Sequence, residues 1–219
     1  VATRFLEQGK QYHPNDERIY RSLATLALQS GKPQDAMKIV NEGLEKAPQS
    51  QYLLLFRADL ELQTGDVESV RTTVKQMREG GFLPELIDYI EGRILVADGK
   101  WLPASRQLER LRPLMARFPD LTVQIDMLLG QSYQNLGQPD RSMDAFSRAL
   151  DADPLSVPAQ LGFAQSMQSL GRQDEAAKAL AKLGSQFSSS DNKVPAIVIN
   201  NMLQMKIAEE LRKPTADRD

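Results

Sequence analysis

Chemistry at neutral pH needs a base, a nucleophile or a ligand set, and this chain holds few side chains suited to any of them. Its single histidine, His13, stands beside Pro14 at a predicted turn, and there is no cysteine. The lack of cysteine removes a thiolate nucleophile, a zinc–thiolate site and a disulfide framework. One imidazole is too few for a histidine-rich metal site, and a histidine in a loop reads as a surface residue before it reads as a base. Carboxylates remain, among them Asp151, Asp153, Asp174 and Glu175. Paired acids can hold a cation or hydrolyse a substrate, but these four fall in loops or first helical turns, where the helix dipole alone favours an acid. No GxxxxGK phosphate cradle and no GxGxxG after a strand occurs. No catalytic residue, metal ligand or cofactor is therefore assigned, and the chemistry left is recognition.

Composition narrows the partner. The 219 residues carry 27 basic and 29 acidic side chains, a formal net charge of −2. That balance gives no general attraction for nucleic acid or an anionic membrane, although a local basic patch stays open. A content of 41% hydrophobic and 26% charged residues is ordinary for a soluble fold. The longest apolar runs, LLLF at 53–56 and AIVI at 196–199, are far short of the roughly 20 residues that span a bilayer. The opening VATRFLEQGKQYHP lacks an initiator methionine and the features of a signal peptide, and reads as a cut or processed start. The compartment stays open, since a cysteine-free chain suits reducing and oxidising surroundings alike.

The elements that would position a recognition surface follow from a ruler in the sequence. Gly31, Gly65, Gly99, Gly137 and Gly171 are spaced by 34, 34, 38 and 34 residues. Pro48 and Pro154 each follow such a glycine by 17 residues, and Pro84 by 19. Counting units from Glu17, the eighth place is always small (Ala24, Ala58, Gly92, Gly130, Ala164) and the twentieth small or β-branched (Ala36, Val70, Ala104, Ser142, Ala176). Small residues there let two antiparallel helices approach closely. The glycine suits a helix end, Pro33 and Pro139 the first turn of the next helix, and Asp35 and Asp140 its positive end. Each unit is a helical hairpin, helix A before the glycine and helix B after it, and no segment reads as a strand.

This pattern resembles the tetratricopeptide repeat (TPR) family over nearly the whole chain. The unit 123–156 matches best, with Leu129, Gly130, Tyr133, Phe146, Ala149 and Pro154 on the family's signature positions; the first unit matches through Tyr20, Leu23, Ala24, Ala36 and Pro48. The second and third match less well, with Arg57 and Glu91 where leucine is expected. The resemblance implies an all-α, right-handed superhelical solenoid of antiparallel helix hairpins, about five full units with half-units at both ends. Residues 1–16 are then the helix B half of a truncated repeat, and 17–50, 51–84, 85–122, 123–156 and 157–190 are repeats. Residues 191–219 are a final helix and tail. The four extra residues of the third repeat predict a lengthened helix B over 102–118, kinked or interrupted at Pro113, with a break between two sub-arrays there. The exposed apolar face of the first half-unit, Phe5 and Leu6, predicts self-association through a repeat end.

Family members turn chosen helix A positions toward a concave groove. Carried over, these give Arg21 and Thr25 in the first repeat, Tyr52, Leu55 and Asp59 in the second, and Tyr89 and Arg93 in the third. Met127, Gln131 and Gln134 follow in the fourth, Leu161 and Gln165 in the fifth, and Asn200 in the last helix. The first half mixes aromatic, apolar and arginine side chains, as binding hot spots do; the second is mostly amides. Leucine members of the set could equally be core residues of imperfect units, whereas the tyrosine hydroxyls favour the wet side of the groove over the core. The lysine and asparagines with which some members clamp chaperone C-termini are missing, since those places carry Arg21, Thr25, Phe56, Leu86 and Ile90. Arg57 and Glu91, at the same place in consecutive units, predict an inter-repeat ion pair, with solvent-facing side chains as the alternative. Arg106, Arg110, Arg112 and Arg117 cluster on one helix, but Glu109 and Asp120 dilute them, so a solvated face is expected. The implied function is a non-catalytic protein-interaction scaffold gripping a peptide or partner protein in the groove. The alternative is an accessory, positioning domain of a larger enzyme or secretion assembly. An RNA reader is disfavoured by the slightly acidic charge.

Overall fold

In the computed structural model the described residues are 2–188, and they form eleven α-helices and one 3-10 turn, with no strand among them. They fold as two compact units that divide between Lys100 and Trp101. The first holds α1 (Ala2–Tyr12), α2 (Glu17–Gln29), α3 (Pro33–Lys46), α4 (Gln51–Thr64), α5 (Val67–Glu79) and α6 (Pro84–Ala97). The second holds α7 (Trp101–Leu111), the 3-10 turn (Arg112–Met115), α8 (Pro119–Asn135), α9 (Pro139–Ala152), α10 (Val157–Ser169) and α11 (Gln173–Ser188).

Local chemistry sets the helix ends. The carboxylate of Asp16 accepts from Arg18 N–H at 3.0 Å, Ser50 Oγ from Leu53 N–H at 3.2 Å and Asp66 from Ser69 N–H at 3.1 Å, each satisfying an orphan donor of a first turn. Pro33, Pro84, Pro119 and Pro139 each open a helix. The ruler glycines close the A helices in the left-handed region; Gly65, at φ 76°, lets Asp66 N–H reach back to Glu61 O at 2.9 Å.

Within each unit the hairpins α2–α3, α4–α5, α8–α9 and α10–α11 pack face to face, and neighbouring A helices touch as α2–α4, α4–α6 and α8–α10. The small residues expected at the contacts are buried: Ala24, Ala36, Ala58, Val70 and Ala104 have no exposed surface, and Gly92, Gly130 and Ser142 are equally inside. Gly43 shows why size matters, since a Cβ there would lie 2.7 Å from Leu53 Cδ1 and 2.8 Å from Tyr20 Cγ. In the second unit the ring of Phe146 lies against Gly130 and Gly162 together.

The extra four residues do not lengthen helix B. α7 ends at Leu111, because Pro113 has no N–H to continue the ladder. The chain instead turns through Arg112–Met115 and enters a 17-residue α8. Met115 is fully buried, and Thr122 Oγ1 donates to its carbonyl at 2.9 Å, which pins the turn. The final helix and tail read at 191–219 lie outside the described residues.

Candidate functional site

The first unit presents helices α2, α4 and α6. Arg21 is exposed on α2 and holds its guanidinium 5.6 Å from the ring centroid of Tyr52 on α4, itself 58% exposed. Leu55 is half-buried one turn further along. Thr25 donates its hydroxyl to its own helix, at Arg21 O. Asp59 on α4 pairs with Arg93 on α6, and the Arg93 guanidinium sits 5.4 Å from the Tyr89 ring. The two tyrosines therefore part company. Tyr52 is a surface aromatic, while Tyr89 is 1% exposed and burial pushes its hydroxyl pKa up to about 12.

The second unit presents α8 and α10. Gln134 Nε2 donates to Gly162 O at 3.2 Å and Gln165 Oε1 at 3.3 Å, tying the helices together. Beside this link lies a cleft of about 380 Å³ lined by Gln134, Asn135, Gln165, Ser166 and Ser169, with Gly137 and Pro139 at its edge. Every side chain lining it is uncharged. Gln131 is exposed and Met127 half-buried on the same helix. Leu161 is a core residue, clustered with Ala176, Leu180 and Leu183. Asn200 lies outside the described residues.

The Arg57–Glu91 pair does not form. Arg57 lies 3.4 Å from Glu61 one turn along α4 and donates to Thr73 at 3.0 Å and to Gln76, both on α5; Glu91 pairs with Arg78 of α5. The adjacent helix α5 offers each side chain a nearer partner than the equivalent place one repeat away. This network contains a buried acid, since Glu61 is 6% exposed and accepts from Thr73 Oγ1 at 2.7 Å. Burial raises the Glu61 carboxyl pKa above its ordinary value of 4.5, and the Thr73 bond and Arg57 oppose that rise. The folded state thus holds this proton more tightly than the unfolded chain, so stability from this group falls as pH rises from 4.5 through the raised value. Asp66 and Asp98 are shifted down from 3.8 and act with the opposite sign, below that pH. Glu61→Gln is expected to flatten the stability slope above 4.5 and leave the acid limb in place, as urea titrations across the pH range would read.

A second buried acid had no counterpart among the expected site residues. Asp126 on α8 is 1% exposed; Arg112 of the 3-10 turn binds both its oxygens, at 2.7 and 2.9 Å, and Arg148 of α9 donates at 2.8 Å. Asp126 stands at the fourth place of its repeat, where the first two repeats bury Tyr20 and Leu54. That register is the signal that could have found it. Tyr133 is held similarly, its hydroxyl donating to Glu109 at 2.7 Å and its ring lying under Arg141 at 4.1 Å. Among the described residues no three histidines or acids gather as a metal site, and no helix is long and apolar enough to cross a membrane.

Two family profiles described as tetratricopeptide repeat match residues 2–60 and 127–189. The chain belongs to the tetratricopeptide repeat family. Solved TPR structures share its fold. A TPR protein from Parabacteroides merdae superposes with a TM-score of 0.72 at 16% identity, over 94% of this chain and 77% of that one. A TPR protein of Thermus thermophilus gives 0.69 at 18%, over 87% and 99%. YrrB, described as a TPR protein with an unusual peptide-binding site, gives 0.53 at 14%, over 94% and 97%. Among curated proteins no sequence matches. TPR folds generally mediate protein–protein interaction and are generally non-catalytic.

Proposed function

We propose that this TPR protein is a non-catalytic scaffold that binds a peptide or partner protein along its helix A faces. The supporting observation is the α8–α10 cleft, whose lining is amide and hydroxyl groups without a charge. Such a surface suits an extended backbone, whose N–H and C=O groups find donors and acceptors with no ionic partner required. The exposed Arg21–Tyr52 pair beside Leu55 adds an aromatic–cation contact on the first unit.

Peptides selected against the full chain from a random library provide the test. Gln131→Ala with Asn135→Ala, or Arg21→Ala with Tyr52→Ala, is expected to weaken a selected peptide at least about tenfold, or about 1.4 kcal/mol. Lys75→Ala, at an exposed helix B position, should leave affinity unchanged. Selected peptides indifferent to both pairs, by calorimetry, would contradict the proposal. The same reading expects no salt-dependent RNA binding.

A further inference from the structure

The arginine cluster on α7 has a different character in the fold from its character in the sequence. Glu109, the acid that diluted it, is engaged by Tyr133 at 2.7 Å and by Arg141 at 3.6 Å. Arg112 is also withdrawn, onto Asp126. What remains exposed at helical spacing on α7 is a stripe of Leu102, Arg106 and Arg110, with Leu114 continuing the surface in the 3-10 turn and Arg117 exposed just beyond it. Leu102 is 44% and Leu114 58% exposed, and among the described residues neither Arg106 nor Arg110 has a carboxylate partner. The opposite face of α7, with Ala104, Leu108 and Leu111, is buried.

We propose that this stripe is a docking surface for an acidic amphipathic segment of a partner protein, its carboxylates on Arg106 and Arg110 and its apolar side chains on Leu102 and Leu114. Charge complementarity selects the occupant: two arginines one helical turn apart match two carboxylates one helical turn apart. A lipid surface fits less well. A helix that lies in a membrane interface segregates its apolar side chains from its basic ones on opposite faces. Here leucine and arginine share a stripe, and the apolar face is already used inside the protein. The site is separate from the helix A faces and does not depend on their function.

The test uses the full chain and a labelled helical peptide carrying glutamates at i and i+4 flanked by leucines, beside its Glu→Gln counterpart. The acidic peptide should bind, weaken as salt rises, and lose at least about tenfold in affinity on Arg106→Glu with Arg110→Glu. Leu102→Ser with Leu114→Ser should cost several-fold, and Arg21→Ala with Tyr52→Ala nothing. All four stripe side chains are surface groups, so far-UV circular dichroism should be unchanged in these variants. The proposal is overturned if neither peptide binds, if the glutamine peptide binds equally, or if the charge reversals leave affinity intact. Vesicles of phosphatidylserine and phosphatidylcholine that bind through Arg106 and Arg110 while the peptide does not would assign the stripe to a membrane and overturn it too.

Discussion

Gly162→Ala should destabilise the second unit by about 2–3 kcal/mol, although alanine is the better helix former by about 1 kcal/mol. The Phe146 ring decides the sign. A Cβ at Gly130 would lie 2.6 Å from Phe146 Cζ, and one at Gly162 would be nearer still. Phe146 is 3% exposed and held from both sides, so it cannot swing into solvent without opening the core. Phe146→Leu in the Gly162→Ala background should recover part of the loss, because the shorter side chain frees the space the new methyl needs. Phe146→Ala alone should cost about 3–5 kcal/mol. Trp101, the chain's single tryptophan, belongs to this unit and gives a fluorescence readout of its unfolding. A Gly162→Ala protein as stable as the parent would show that the A and B helices do not meet as closely as described.

The second large effect concerns Asp126. Removing Arg112 or Arg148 alone leaves the carboxylate one guanidinium, and each single alanine variant should cost about 1–2 kcal/mol. Removing both leaves a buried charge uncompensated, and the double variant should lose about 1–3 kcal/mol beyond the singles' sum or fail to fold. Adding Asp126→Leu to the double variant should restore folding, since Leu54 fills the same place in the second repeat and is 1% exposed. A double-mutant cycle by urea unfolding reads the coupling. Additive small losses would mean that water or another group already balances Asp126.

The regular part of the fold was legible because repetition removes ambiguity. Five glycines in phase, with small residues at fixed offsets, place the helix contacts without knowledge of any partner, and Pro113 marks its own interruption. The buried charges were not legible in this way. Asp126, Glu61 and Arg57 depend on side chains up to 22 residues distant, Arg148 for Asp126 and Thr73 for Glu61. A periodic reading assigns any charge to solvent. The register of Asp126 with Tyr20 and Leu54 was available, but reading it required accepting a carboxylate in a core position. The candidate groove divides similarly. Arg21, Leu55, Tyr89, Met127 and Leu161 share the fifth place of their repeats, yet only Arg21 is exposed, while Tyr89 and Leu161 are buried. Hydration keeps the guanidinium outside at that place, and apolar side chains there are drawn inward.

The most direct test of the scaffold reading is hydrogen exchange of the full chain with and without a selected peptide. The account predicts that added protection falls on α2 and α4 or on α8 and α10, at segments holding Arg21, Tyr52, Gln131 or Gln165. Protection confined to α3, α5, α9 and α11, with those A helices unchanged, would contradict it.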